Sequence, residues 1–263
     1  QALGDLVVFT SVLKHYKRRF PDKKIHLLIK NGIGIESFLT PAFIDEVITL
    51  NYRKFAVNPF YGFRFINRLR RIGFKKVIHQ DFSAAEIMGK IISVNLSADC
   101  VVGYEGIGLE FRHPFDIQQK KNLEIVREVL LPRYTEVIPS IDPVAETSQP
   151  LPSAILHYAR IYEKATGFEE EEYAPVLSPL RRTEKVLERF NLTQGKYIIF
   201  NVNASVPYKR WPLERCQVVA EYFAREEYTI MLVGLKKERV IATQFEKMCS
   251  GFPVVNAAGE TTL

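Results

Sequence analysis

Short aliphatic runs alternate with longer stretches whose apolar residues recur at helical spacing, and they do so in two separate blocks. That alternation restricts the chain to an α/β fold built on parallel sheets, because a strand, its covering helix and the next parallel strand form one structural unit. In the first block the pattern predicts a helix over 5–20, with Val8, Phe9, Val12, Leu13 and Tyr16 on one face and Pro21-Asp22 at its end. Strands at 24–29 and 46–50 follow, then a helix at 61–72, a strand at 76–79, a helix at 84–94 and a strand at 100–103. Residues 118–167 read as mostly helical around a proline-rich 138–152. The acidic run 169–172 with Pro175 and Pro179 reads as a linker. The second block predicts helices at 182–190, 212–225 and 237–248 between strands at 196–202, 229–233 and 253–256. Two Rossmann-like domains are therefore expected, over 1–175 and 180–263. The first opens on a helix with no strand before it and the second has only three strands, so we expect a first strand upstream and an incomplete second domain.

Composition narrows the class. With 47% hydrophobic and 25% charged residues in 263, the chain is neither disordered nor collagen-like. No run approaches the roughly 20 apolar residues that span a bilayer, and no signal segment opens the chain, so a cytoplasmic location is expected. Cys100, Cys216 and Cys249 lack the spacing of a metal or redox motif and read as reduced thiols. The net charge of +6 suggests an anionic partner. Basic residues gather at Lys14, Lys17, Arg18, Arg19, Lys23 and Lys24, and again at Arg68, Arg70, Arg71, Lys75 and Lys76. They read as solvated helix faces, with an anionic acceptor or lipid headgroups as the alternative; no nucleic-acid pattern is present.

Two segments carry chemistry. Asn201-Val202-Asn203-Ala204-Ser205-Val206-Pro207-Tyr208-Lys209-Arg210-Trp211-Pro212 runs off an apolar strand into a helix opened by proline, the layout of a phosphate site. Helix N–H groups, the Ser205 hydroxyl and the Lys209 charge would then meet a diphosphate; the other reading is a Trp211-Pro212 staple with surface charges. The second segment, Leu3-Gly4-Asp5, puts a carboxylate where a βα turn would reach the ligand edge of the sheet. Asp5 there is either a general base or a helix cap. His79 and Asp81 fall at a strand end and read as acceptor contacts or structural groups. His15, His26, His113 and His157 have no ligand spacing, and Gly32 and Gly34 do not complete a dinucleotide fingerprint.

Gly4-Asp5-Leu6-Val7 with Phe20-Pro21-Asp22-Lys23-Lys24-Ile25 resembles the opening of glycosyltransferase family 9, and Lys209-Arg210-Trp211-Pro212 resembles its second signature. Val233-Gly234 with Glu238, and Ala258-Gly259-Glu260-Thr261-Thr262-Leu263, are similar to later landmarks in the same order. The resemblance implies a GT-B fold with a cleft between the two domains. It also implies an inverting heptosyltransferase that carries heptose from ADP-heptose to the lipopolysaccharide inner core, on Kdo-lipid A or a heptosylated core. Asp5 would be the catalytic base, Ser205 and Lys209 the donor-phosphate ligands, Glu238 a ribose contact, and Thr261 a neighbour of the adenine. No metal or cofactor is implied beyond the ADP-sugar donor. The partners would be that donor, a lipid A-type glycolipid and the anionic inner surface of the cytoplasmic membrane, with no nucleic acid. A further family segment, Asp-Ser/Thr-Gly followed by histidine, is expected beyond Leu263. The alternatives are a relative with another nucleotide sugar, or a non-catalytic nucleotide- or lipid-binding protein.

Overall fold

The computed structural model describes residues 3–31, 39, 42–81, 86–105, 117–139, 154–178, 184–204 and 209–261. Two compact units result, Gln1–Pro179 and Leu180–Leu263.

The first unit runs α1 (Leu3–Arg19), β1 (His26–Lys30), β2 (Glu46–Leu50), α2 (Tyr52–Val57), α3 (Pro59–Arg70), β3 (Lys76–His79), α4 (Met88–Val94), β4 (Cys100–Tyr104), α5 (Ile117–Ile125), β5 (Glu136–Ile138) and α6 (Ala154–Thr166). A π turn at Val126–Leu130 and a 3-10 turn at Leu131–Arg133 continue α5. All strand pairs are parallel: β1 lies beside β2, and β4 lies between β3 and β5. Leu6, Phe9, Val12, Leu13 and Tyr16 of α1 bury against Ile29 and against Tyr158 and Tyr162 of α6, with Ile78 of β3 packed on the same cluster. Phe9 meets Tyr158 edge-on at 5.3 Å and Tyr16 meets Tyr162 at 4.9 Å. Gly103 of β4 is required by packing, since a Cβ there would stand 2.1 Å from the Tyr134 ring.

The second unit runs α7 (Glu184–Arg189), β6 (Tyr197–Phe200), α8 (Leu213–Arg225), β7 (Thr229–Leu232), α9 (Arg239–Met248) and β8 (Val254–Asn256), with β7 central in a three-stranded parallel sheet. Cys216, Ala220, Ala242, Phe245 and Cys249 of the α8–α9 layer cover Ile230 and Leu232. Met231 and Ala257 face the other way, toward Leu192. The three cysteines are free, and burial pushes the Cys249 thiol up to about 11.

Three readings change. The segment read as a linker is stitched to the first unit: Glu170 accepts from Arg18 and from Tyr162, and the Val176 N–H donates to Thr10 Oγ1 at 2.9 Å. The stretch read as helical over 118–167 contains the strand β5. Pro212 stands at the N-cap of α8 and not at its first helical position. Within the range read as a helix at 84–94, the described helix starts at Met88; Gly32, Gly34 and His113 lie outside the described residues.

Candidate functional site

In open α/β sheets ligands gather at the carboxyl ends of the strands, and both units place ionisable or polar groups there. In the second unit, the segment after β6 returns through Lys209, Arg210 and Trp211 to α8. It frames a hollow of about 300 Å³ lined by Ile199, Asn201, Asn203, Lys209, Arg210 and Trp211, among others. The Arg210 Nε donates to the Ala204 carbonyl at 3.2 Å, and Asn201 Oδ1 accepts the Asn203 N–H at 3.1 Å, so both arms of the loop are tied. Lys209 and Arg210 are exposed and pair with no carboxylate among the described residues. Asn203 Oδ1 is buried there and has no hydrogen-bond partner among the described residues. No side chain among the described residues caps α8, so its first N–H groups are available to an anion. Ser205 lies outside the described residues.

The loops after β7 and β8 close on each other. The Gly259 N–H donates to the Gly234 carbonyl at 2.8 Å. Gly259 has φ +77°, and a Cβ there would stand 2.7 Å from Lys236 Cα, so a side chain is excluded on both grounds. Glu238, in the 3-10 turn Lys236–Glu238, accepts the Leu235 N–H at 2.7 Å and thereby holds that loop. Arg239 grips the turn from the other side, with Nη1 2.6 Å from Glu260 and 3.1 Å from the Ala258 carbonyl; Arg189 adds a second contact to Glu260 at 3.2 Å. The Arg239 hydrogen bond leads the effects that hold the Glu260 carboxyl below its ordinary range. Thr261 follows, exposed. Lys209, Glu238 and Thr261 thus lie in loops that all leave the same edge of one sheet.

In the first unit Asp5 is half-buried inside the first turn of α1, so it is not the cap of that helix, and its charge faces the positive end of the helix dipole. Asp81 follows β3. Burial first, then the Asp5 and Asp81 charges, push the Tyr158 phenol up. Beside them His79 Nε2 lies 3.3 Å from Glu86, whose two oxygens accept the Gly89 N–H at 2.9 and 3.0 Å. Burial works against the Glu86 charge, but His79, the Gly89 N–H and the Lys90 ammonium outweigh it and hold the carboxyl at about 2. Lys90 is fully buried; burial lowers its pKa while Glu86 and Asp81 oppose that shift. Gly89 makes room for this contact, since a Cβ there would stand 2.6 Å from His79 Nε2.

Of the residues expected from the sequence, Asp5 lies at the start of α1 and Lys209, Glu238 and Thr261 in the loops at one sheet edge, while Lys90, Glu86, Asn203 and Arg239 were given no role there. A signal existed for Lys90, one lysine amid the apolar residues of 87–94. Among the described residues no three His, Cys, Asp or Glu side chains come together as a metal site.

Residues 142–263 match the model of glycosyltransferase family 9 (heptosyltransferase). No curated protein matches the chain. Solved structures share its fold, three of them as follows. A glycosyl transferase family 9 protein from Veillonella parvula DSM 2008 is 19% identical, with a TM-score of 0.72 over 99% of this chain and 67% of its own. E. coli ADP-heptose lps heptosyltransferase II is 16% identical, with a TM-score of 0.62 over 99% of this chain and 71% of its own. E. coli heptosyltransferase WaaC, solved with ADP, is 17% identical, with a TM-score of 0.59 over 97% of this chain and 71% of its own. The fold is accordingly the α/β, GT-B-type one that the motifs implied.

Proposed function

We propose that this chain, a family 9 glycosyltransferase by its residues 142–263, moves heptose from ADP-heptose to the inner core of lipopolysaccharide with inversion at the anomeric carbon. The observation that supports this most is the hollow beyond β6, lined by Lys209 and Arg210, which pair with no carboxylate among the described residues, just ahead of α8. That chemistry suits a diphosphate.

In the reaction, Asp5 takes the proton of the acceptor hydroxyl as its oxygen bonds to the anomeric carbon. The bond from that carbon to the diphosphate breaks on the opposite face, and ADP leaves with the electron pair. Lys209, Ser205 and the start of α8 stabilise the charge that builds on the leaving group, a role a metal ion plays in other transferases. Glu238 holds the ribose, and Thr261 lines the adenine. The acceptor is a lipid A-type glycolipid, met at the cytoplasmic face of the membrane; no helix among the described residues is long and apolar enough to cross one.

The test is ADP release with ADP-heptose and a Kdo-lipid A acceptor, beside Asp5→Ala and Lys209→Ala variants checked for folding by circular dichroism. We expect each variant to lose about 10²–10³-fold in rate. Absence of release with any ADP-sugar, from a protein that still binds ADP, would sink the assignment.

A further inference from the structure

The segment from Asn51 to Gln80 carries eight Lys or Arg residues and no Asp or Glu. Its two helices, α2 and α3, meet at Asn58, whose N–H donates to the Lys54 carbonyl and whose side chain accepts the Tyr61 N–H. The inner face is settled. Phe65 and Leu69 of α3 bury against Ile48 and Leu50 of β2, Phe55 packs over Gly62, and Tyr61 stacks on Phe65 at 6.0 Å.

The outer face is the reverse of what folding requires. Val57 is 81% exposed, Phe60 82% and Phe63 66%. Phe60 and Phe63 share a face of α3 at i, i+3 spacing. Arg53 stands one turn before Val57, and Arg64 one turn after Phe60. Arg53, Lys54, Arg64 and Arg71 are exposed and pair with no carboxylate among the described residues, whereas Arg70 is spent on the Asn95 carbonyl and Lys75 on Asp99. Exposed aromatics in a purely cationic setting do not suit a protein partner with a mixed surface. They match a surface that offers both hydrocarbon and negative charge.

We propose that the α2–α3 hairpin is a membrane-docking element that inserts Val57, Phe60 and Phe63 into the interface of an anionic bilayer while the surrounding arginines and Lys54 meet lipid phosphates. An aromatic and aliphatic tip with a basic collar is how interfacial segments bind without spanning. Each basic side chain near such a surface strengthens binding by roughly fivefold, an effect that salt screens. The inference rests on the reading that the acceptor is a membrane glycolipid, which the hairpin would bring within reach, yet it stands or fails separately.

The experiment is co-sedimentation of the full chain with vesicles of phosphatidylglycerol and phosphatidylethanolamine or of phosphatidylcholine alone, at low and high salt. We expect binding to the anionic vesicles, weakened by salt. Phe60→Gln/Phe63→Gln and Arg53→Gln/Arg64→Gln variants should each bind at least about tenfold more weakly. All these side chains are exposed, so both variants should keep the wild-type melting temperature and full transfer to a delipidated, water-soluble acceptor. Equal binding by variants and wild type, or no preference for the anionic vesicles, overturns the proposal. So does a concentration-dependent dimer in sedimentation velocity that the Phe variant abolishes, because the face then belongs to a second copy. A protein that docks on vesicles as described but transfers no sugar overturns the transferase assignment and leaves the docking element standing.

Discussion

The two sheet edges carry charge in opposite ways. In the first unit the ionisable groups are buried or half-buried and answer one another: Lys90 sits among Glu86 and Asp81, and Glu86 is held by His79 and the Gly89 N–H. In the second, Lys209 and Arg210 stand in solvent and pair with no carboxylate among the described residues. A buried charge must be compensated inside the fold or the fold fails, so it is committed to structure. An exposed, uncompensated one costs the fold nothing and stays available to a ligand. Asp5 falls between the two, half-buried and close to the compensated network.

The sharpest way to break that contrast is to remove one lysine from each side. Lys90→Ala leaves Glu86 and Asp81 without their ammonium, and we expect a loss of about 3–5 kcal/mol in urea unfolding. Lys209→Ala should fall within about 0.5 kcal/mol of wild type, as surface substitutions do, although we expect it to slow transfer about 10²–10³-fold. Lys90→Met keeps most of the volume but still takes the ammonium away from both carboxylates, so it should remain well below wild type. If Lys90→Ala is as stable as Lys209→Ala, the buried network is not structural.

The same contrast explains what could be read in advance. Strands β2 and β3 have the bounds read from the sequence, because each is a short apolar run between clear breaks. β5 was hidden in a helical reading: its first two residues are exposed, and it is a strand because β4 pairs with it, a long-range effect that no local pattern carries. α2 was missed because Asn58 both ends it and caps α3. At the candidate sites, Lys209 could be found since an exposed cation before a helix is a local arrangement. Lys90 could not be assigned as easily, since helical lysines ordinarily point to water and only the packing around 87–94 shows that this one does not. The basic runs were legible as charge, but the exposure of Phe60 and Phe63 beside them was not, because apolar residues at helical spacing usually mark the buried face.

Acid separates the units more gently. Glu86 is held at about 2 against an ordinary value near 4.5. Its contribution is therefore complete above about pH 4.5 and is lost as pH falls toward 2. His15 acts in the same direction at higher pH: burial lowers its pKa from 6.5, so stability falls once the unfolded chain takes up a proton there more readily than the folded one. Both groups lie in the first unit; the second holds Glu260, whose carboxyl is also lowered but in an exposed ion pair that contributes less, and it holds the single tryptophan, Trp211. Urea series from pH 6 to 2 should show the far-ultraviolet signal weakening before Trp211 fluorescence changes. Glu86→Gln, less stable at neutral pH, should lose about 3 kcal/mol less than wild type between pH 4.5 and 2. Coincident transitions by both probes at every pH would contradict the assignment of acid sensitivity to the first unit.

Glu238 tests the contrast where it is weakest, since this half-buried carboxylate already serves the fold by accepting the Leu235 N–H and is also proposed to hold the donor ribose. Glu238→Ala should cost about 1 kcal/mol, the usual value of a lost cap, and weaken ADP binding about tenfold. Glu238→Gln separates the two roles, because an amide oxygen can still accept the Leu235 N–H while the charge is gone. We expect thermal stability to return with Gln and the ADP affinity measured by calorimetry to stay low, since a charged acceptor binds hydroxyl groups about twice as strongly as a neutral one. Affinity that returns in step with stability would make Glu238 a loop-holding residue only, and would place it with the committed charges of the first unit.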